Sequence, residues 1–255
     1  MGRLDGKVAV LTGAGSGIAR AAAQIFTREG AKVVVAEINE SLGADAADRA
    51  GENAIFVPTD VTDEASVKST MATAADTFGR IDILHNCAGG SVIEDRNITE
   101  VDLEVWDRTI PLDLKGPMLC CRHGVPHLQA AGGGSIINMA SVVALRGNHP
   151  AHIYAAAKGG IIAFTQSLAG AYSKDGIRAN AICPGLVLTD RVRARAEGAF
   201  DNVRGDSDAY DTFKQYPFGV GEPEDIANIV LFLASDESRM VNGATIPAEG
   251  GISAY

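Results

Sequence analysis

The sequence predicts a doubly wound α/β fold, a mostly parallel sheet of seven strands held between two layers of helices in a three-layer αβα arrangement. Three observations carry this prediction. Seven short apolar runs recur along the 255 residues, at 8–11, 33–36, 55–57, 81–84, 135–138, 179–183 and 244–247. Each run is apolar on consecutive positions, as strands covered on both faces of a parallel sheet are. Between them, stretches such as 18–28, 64–78 and 153–172 repeat apolar residues at the three-to-four spacing of crossover helices. Alternation of the two patterns winds a parallel sheet with right-handed connections.

No fixed-period repeat or low-complexity linker interrupts this alternation, so residues 1–255 are expected to form one domain. No apolar run approaches the roughly 20 residues that span a bilayer. The first residues, Met1-Gly2-Arg3-Leu4-Asp5-Gly6-Lys7, lead straight into a strand without the zones of a secretory leader, which predicts a cytoplasmic location. Cys87, Cys120, Cys121 and Cys183 have neither zinc-type spacing nor the density of a disulfide scaffold, so reduced thiols are expected. A formal net charge of −10 disfavours nucleic acid, leaving a small-molecule partner as the expectation. His123 and His127 stand four apart on a predicted helix but lack a third ligand, so no metal site is expected.

The first strand ends in Thr12-Gly13-Ala14-Gly15-Ser16-Gly17-Ile18-Ala19. Glycines there let the backbone turn tightly against a pyrophosphate, and the helix that opens next offers free amides to the anion. Glu37 follows Gly17 by 20 positions at the end of the second strand. A carboxylate there accepts the ribose hydroxyls of NAD and repels the 2′-phosphate of NADP, and neither Ser16 nor Ile38 offers that phosphate a base. NAD is therefore the expected cofactor of a Rossmann-like site. Asp60 and Val61 close the third strand, where the carboxylate lies either near the adenine amino group or at the cap of the next helix. The fourth strand ends in His85-Asn86-Cys87-Ala88-Gly89-Gly90, where small residues and glycines admit a close ligand.

Tyr154 and Lys158 are four residues apart on a predicted helix and so share one face. A phenol with an ordinary pKa near 10 needs a downward shift of about 3 units, roughly 4 kcal/mol, to act as a base at neutral pH. A neighbouring ammonium and a positive nicotinamide ring have the right sign to supply it. Ser141, at the end of the fifth strand, is placed to hydrogen-bond a substrate oxygen as charge develops on it.

In this combination the chain resembles the single-domain branch of the short-chain dehydrogenase/reductase family. The resemblance spans essentially the whole chain and rests on Thr12-Gly13-x-x-x-Gly17-Ile18, Asp60-Val61, Asn86-Cys87-Ala88-Gly89, Ser141, Tyr154-x-x-x-Lys158 and Pro184-Gly185-x-x-x-Thr189, in that order. It implies an NAD(H)-dependent oxidoreductase that moves a hydride between the nicotinamide and a secondary alcohol or ketone. Tyr154 would be the general acid/base, Lys158 the ribose-binding cation that lowers its pKa, and Ser141 the group that orients the carbonyl. Gly13, Gly15, Ser16, Gly17, Ile18, Glu37, Asp60, Val61, Asn86, Ala88 and Gly89 would bind the cofactor together with Tyr154, Lys158, Pro184 and Gly185. Val187 and Thr189 would fix its carboxamide. The tyrosine-to-lysine spacing argues against the enoyl-reductase relatives, whose pair stands further apart. A homotetramer, or a homodimer, is expected by the same resemblance.

Three positions depart from the family pattern. Asp113 replaces the asparagine that supports a helix kink and a proton-carrying water chain to the lysine, and its charge would work against the lowering of the phenol's pKa unless it is protonated or separated by water. Pro111 should sit at a helix start or a kink. Ala19 takes the place of a last glycine, and Cys87 that of a second asparagine. Residues 190–216, charged and weakly periodic after a strand end, are expected to form a substrate lid. Trp106, the sole tryptophan, is expected to serve packing. The competing class is a catalytically weak dinucleotide-binding scaffold. An epimerase or dehydratase would need a larger C-terminal domain than this length allows.

Overall fold

The structure, a computed structural model, describes residues 2–147, 149–194 and 216–254. Seven strands, β1 (Val8–Thr12), β2 (Lys32–Glu37), β3 (Ala54–Pro58), β4 (Ile83–Asn86), β5 (Gly134–Met139), β6 (Ile177–Pro184) and β7 (Thr245–Ala248), form one sheet in the order β3-β2-β1-β4-β5-β6-β7. Every pairing is parallel. The winding reverses between β1 and β4, which opens a crevice at their carboxyl ends, where open α/β sheets bind ligands.

The helices are α1 (Gly17–Arg28), α2 (Glu40–Ala50), α3 (Glu64–Phe78), α4 (Leu103–Ile110), α5 (Gly116–Ala130), α6 (His152–Tyr172) and α7 (Pro223–Ala234). Strand residues alternate between two apolar layers. Leu11, Val33, Val35 and Ile137 pack with Phe26 and Leu231 on the α1 and α7 side. Val10, Val34, Leu84 and Ile136 pack with Leu119 and Leu128 of α5 on the other. Consecutive apolar residues along each strand therefore serve opposite faces.

Local chemistry sets the element ends. Asp63 caps α3 by accepting from the amides of Ala65 and Ser66, each at 3.2 Å. Asp60, the alternative cap suggested by the sequence, instead accepts from the Thr62 amide and hydroxyl. β4 begins two residues later than the apolar run because Asp82 is committed elsewhere: buried, it accepts from the Val8 amide at 2.9 Å and pairs with Arg80. Between α4 and α5, Pro111–Lys115 forms a π-helical turn with Pro111 at its start, one of the two places expected for it. No described helix is long and apolar enough to cross a membrane. The expected lid falls mostly on residues 195–215, which lie outside the described residues; residues 190–194 are helical.

Candidate active site

A cleft of about 500 Å³ runs along the carboxyl ends of the central strands. Its floor at one end is the turn between β1 and α1. Gly13 there has φ +66°, and a Cβ on it would sit 2.7 Å from the Ala88 Cα, so the turn and the β4 end can meet only through glycine. Thr12 ties the same two strand ends together, its hydroxyl accepting from the amides of Cys87 and Ala88. The first turn of α1 has neither an acidic residue nor a side-chain cap at Ser16. Its amides are thus open to an anion.

Beside this turn, the Glu37 carboxylate accepts from the Gly15 amide at 3.1 Å and from the amides of Ile38 and Asn39 at 3.0 Å. Three amides fix a negative charge at the lip of the cleft. The lining continues through Ser16, Gly17, Ile18, Asp60, Val61, Ala88 and Gly89 to Ser141, Tyr154 and Lys158, and then to Pro184, Gly185, Val187 and Thr189. Two of the residues expected to bind the cofactor stand apart from that lining, as does Asp113. Gly15 lies behind Glu37, and the Asn86 side chain turns into the sheet, donating to Asn138 Oδ1 at 2.8 Å and to Cys121 Sγ at 3.4 Å.

The chemical end is built by β5, α6 and the π-helical turn. Lys158 is buried and donates to the Met139 carbonyl at 3.0 Å while pairing with Asp113 Oδ1 at 3.1 Å. Its Nζ lies 5.4 Å from the centre of the Tyr154 ring. The same Asp113 oxygen accepts from the Gly90 amide at 2.8 Å. A Cβ on Gly89 would collide with it, so glycine is required there too. Asp113 is fully buried, and its Oδ2 has no hydrogen-bond partner among the described residues. The π-helical turn thus presses a carboxylate directly onto the lysine, with no water between.

This contact changes the electrostatics expected for the phenol. Burial pushes the Tyr154 pKa above the ordinary phenol value, and the Asp113 charge pushes the same way. Lys158, Arg191 and a hydrogen bond from Ser141 pull it down but do not prevail. Burial works against the Lys158 ammonium, yet the neighbouring Tyr154 oxygen and the Asp113 carboxylate hold its pKa above the ordinary lysine value. Lysine and aspartate together form a buried ion pair next to the phenol.

Sequence reasoning missed Asp95. This carboxylate, buried in the loop after β4, accepts from the backbone amides of Ile153 at 3.2 Å and Tyr154 at 2.7 Å. His149 lines the cleft, whereas His152 faces the loop after β4 and accepts from the Ile98 amide. His123 pairs with Glu64 on the surface. No cluster able to hold a metal occurs among the described residues. All four cysteines are free, and Trp106 is half exposed rather than packed.

Fold and site together define a dinucleotide-binding oxidoreductase. Residues 13–253 match a family model described as enoyl-(acyl carrier protein) reductase. The chain is 39% identical to the cis-4-hydroxycyclohexanecarboxylate dehydrogenase of Sinomonas cyclohexanicum, covering 97% of each chain. It is 37% identical to the meso-2,3-butanediol dehydrogenase of Serratia marcescens, covering 99% of this chain and 96% of that one. A short-chain type dehydrogenase/reductase from Mycobacterium ulcerans superposes with a TM-score of 0.90 at 30% identity, covering 98% of this chain and 91% of that one. The chain belongs to the short-chain dehydrogenase/reductase family, whose dehydrogenases use nicotinamide cofactors on small molecules.

Proposed function

We propose that the protein is an NAD(H)-dependent alcohol dehydrogenase or ketone reductase in which Tyr154 is the general acid/base. The observation that carries this reading is the polarity of the cleft, with the Glu37 carboxylate fixed at one end and Ser141, Tyr154 and Lys158 converging at the other. The open glycine turn and uncapped α1 between those ends fit a dinucleotide. Glu37 favours free ribose hydroxyls over a phosphate, hence NAD over NADP. When bound, the coenzyme supplies the hydride acceptor and, in its oxidised form, a positive charge beside the phenol.

The chain's own residues manage the proton. In the oxidation direction Tyr154 Oη takes the proton of the substrate hydroxyl, and Ser141 donates a hydrogen bond to the oxygen that becomes the carbonyl. Lys158 holds positive charge against the phenolate. Its four-residue spacing from Tyr154, one helical turn, supports carbonyl chemistry over the reduction of a carbon–carbon double bond. The hydroxyl-bearing substrates named for the two relatives support the same choice. Assembly as a homotetramer or homodimer, and a cytoplasmic location suited to four reduced thiols, complete the reading.

Coenzyme reduction followed by absorbance with a panel of secondary alcohols tests it, with NAD and NADP in parallel. Turnover with NAD, at least about tenfold more efficient than with NADP, is expected. The second reading, a catalytically weak dinucleotide-binding scaffold, draws on the Lys158–Asp113 ion pair, which absorbs the charge the phenol needs. Coenzyme binding without turnover of any panel member would favour it.

A further inference from the structure

We infer that Asp95 is a positioning residue that fastens the catalytic end of α6 to the substrate-side loop, an inference that rests on the proposed role of Tyr154. The residue at the N-cap of α6 is Ala151, which has no side-chain acceptor for the first amides of the helix. Left alone, the helix would begin with unsatisfied donors and fray where the chemistry is placed. Asp95 supplies the cap from 59 residues away. One carboxylate oxygen takes the Ile153 amide and the other the Tyr154 amide, so the catalytic tyrosine is held by its own backbone nitrogen at 2.7 Å.

The carboxylate is 5% exposed, and a negative charge at a helix start is favoured by the helix dipole. A second tie runs the other way, the Ile98 amide donating to His152 Nδ1 at 3.1 Å. The segment 90–98 is thereby clamped to the first turn of α6 at two points, and it begins at Gly90, whose amide holds Asp113. Tyr154 and the Asp113–Lys158 pair are thus referenced to one loop, so a change at Asp95 moves the phenol relative to the lysine and to Ser141.

Asp95→Ala and Asp95→Asn test this by steady-state kinetics, coenzyme affinity and peptide-level hydrogen exchange over residues 151–156. Asp95→Ala should lower kcat about 10- to 100-fold, the penalty for a misplaced catalytic group, with coenzyme affinity within about twofold of the parent. Asp95→Asn, which keeps one acceptor oxygen, should recover part of that loss. Exchange at residues 151–156 should quicken in the order Asp, Asn, Ala. Wild-type kcat in both variants, or unchanged exchange, would overturn the inference, as would a parallel loss of coenzyme affinity pointing to general unfolding. Quickened exchange in the variants of a parent that turns over no alcohol would overturn the alcohol dehydrogenase reading instead and leave the cap itself supported. Should the alanine variant fail to fold, the asparagine variant carries the same comparison.

Discussion

The negative charge on Asp113 is the residue-scale feature with the clearest kinetic consequence. It lies on Lys158, proposed to stabilise the phenolate, and raises the pKa of Tyr154, the proposed acid/base. Asp113→Asn removes that opposition and keeps an oxygen for the lysine. The ascending limb of the oxidation pH–rate profile should therefore move to lower pH, with a higher rate at neutral pH. Arg191 acts with the opposite sign, since its charge lowers the Tyr154 pKa, so Arg191→Gln should move the limb to higher pH. Profiles that do not separate in these directions would contradict the electrostatic account. Asp113→Ala is a different experiment, because it leaves a buried ammonium without its partner. Loss of one member of a buried pair costs about 3–5 kcal/mol, measurable as a lower denaturation midpoint. At the other end of the cleft, Glu37→Ala should raise the ratio of NADP to NAD efficiency by about tenfold or more, because the phosphate would no longer meet a carboxylate.

Among elements, α5 shows how a helix and a strand depend on a close approach. Its Gly124 faces β4, and a Cβ there would strike the Leu84 side chain. Gly124→Ala should destabilise the protein by about 1–3 kcal/mol through overpacking, against the usual gain from alanine in a helix. A midpoint that rises in urea denaturation would refute this. Elements were legible in the sequence where one signal controlled them. The helix 64–78 has a cap and a terminal glycine, and its bounds coincide with the predicted ones. β4 was displaced because Asp82 sits within an apolar run whose pattern cannot reveal that it accepts from the Val8 amide. Asp95 was illegible for the same reason, its partners being distant in sequence and backbone in kind, so no spacing marks it. The glycine turn and the Tyr154–Lys158 pair were readable because turn sterics and helix periodicity act over a few residues. The direct Asp113–Lys158 contact needed the π-helical turn, which sets how far the carboxylate reaches.

For the molecule as a whole, acid stability turns on a side chain outside the chemistry. His85 lies at the centre of the sheet on β4, fully buried, paired in register with Leu11 and Ile137. Among the described residues neither ring nitrogen has a well-formed hydrogen bond. Burial lowers its pKa from 6.5 to about 4, and the neighbouring Ile137 backbone offsets only part of that. The unfolded chain therefore binds a proton at this position between pH 6.5 and about 4 while the folded protein does not. Stability is fully retained above pH 6.5, falls as pH drops through this window and levels off below about 4. The loss from this one group is of order 3 kcal/mol, a large share of the stability of an ordinary domain. His85→Leu keeps an apolar side chain of similar reach and abolishes the titration. Denaturation midpoints of the two proteins measured across the window should diverge as pH falls, the variant holding its stability while the parent loses it. Parallel curves would show that the acid limb belongs to other groups.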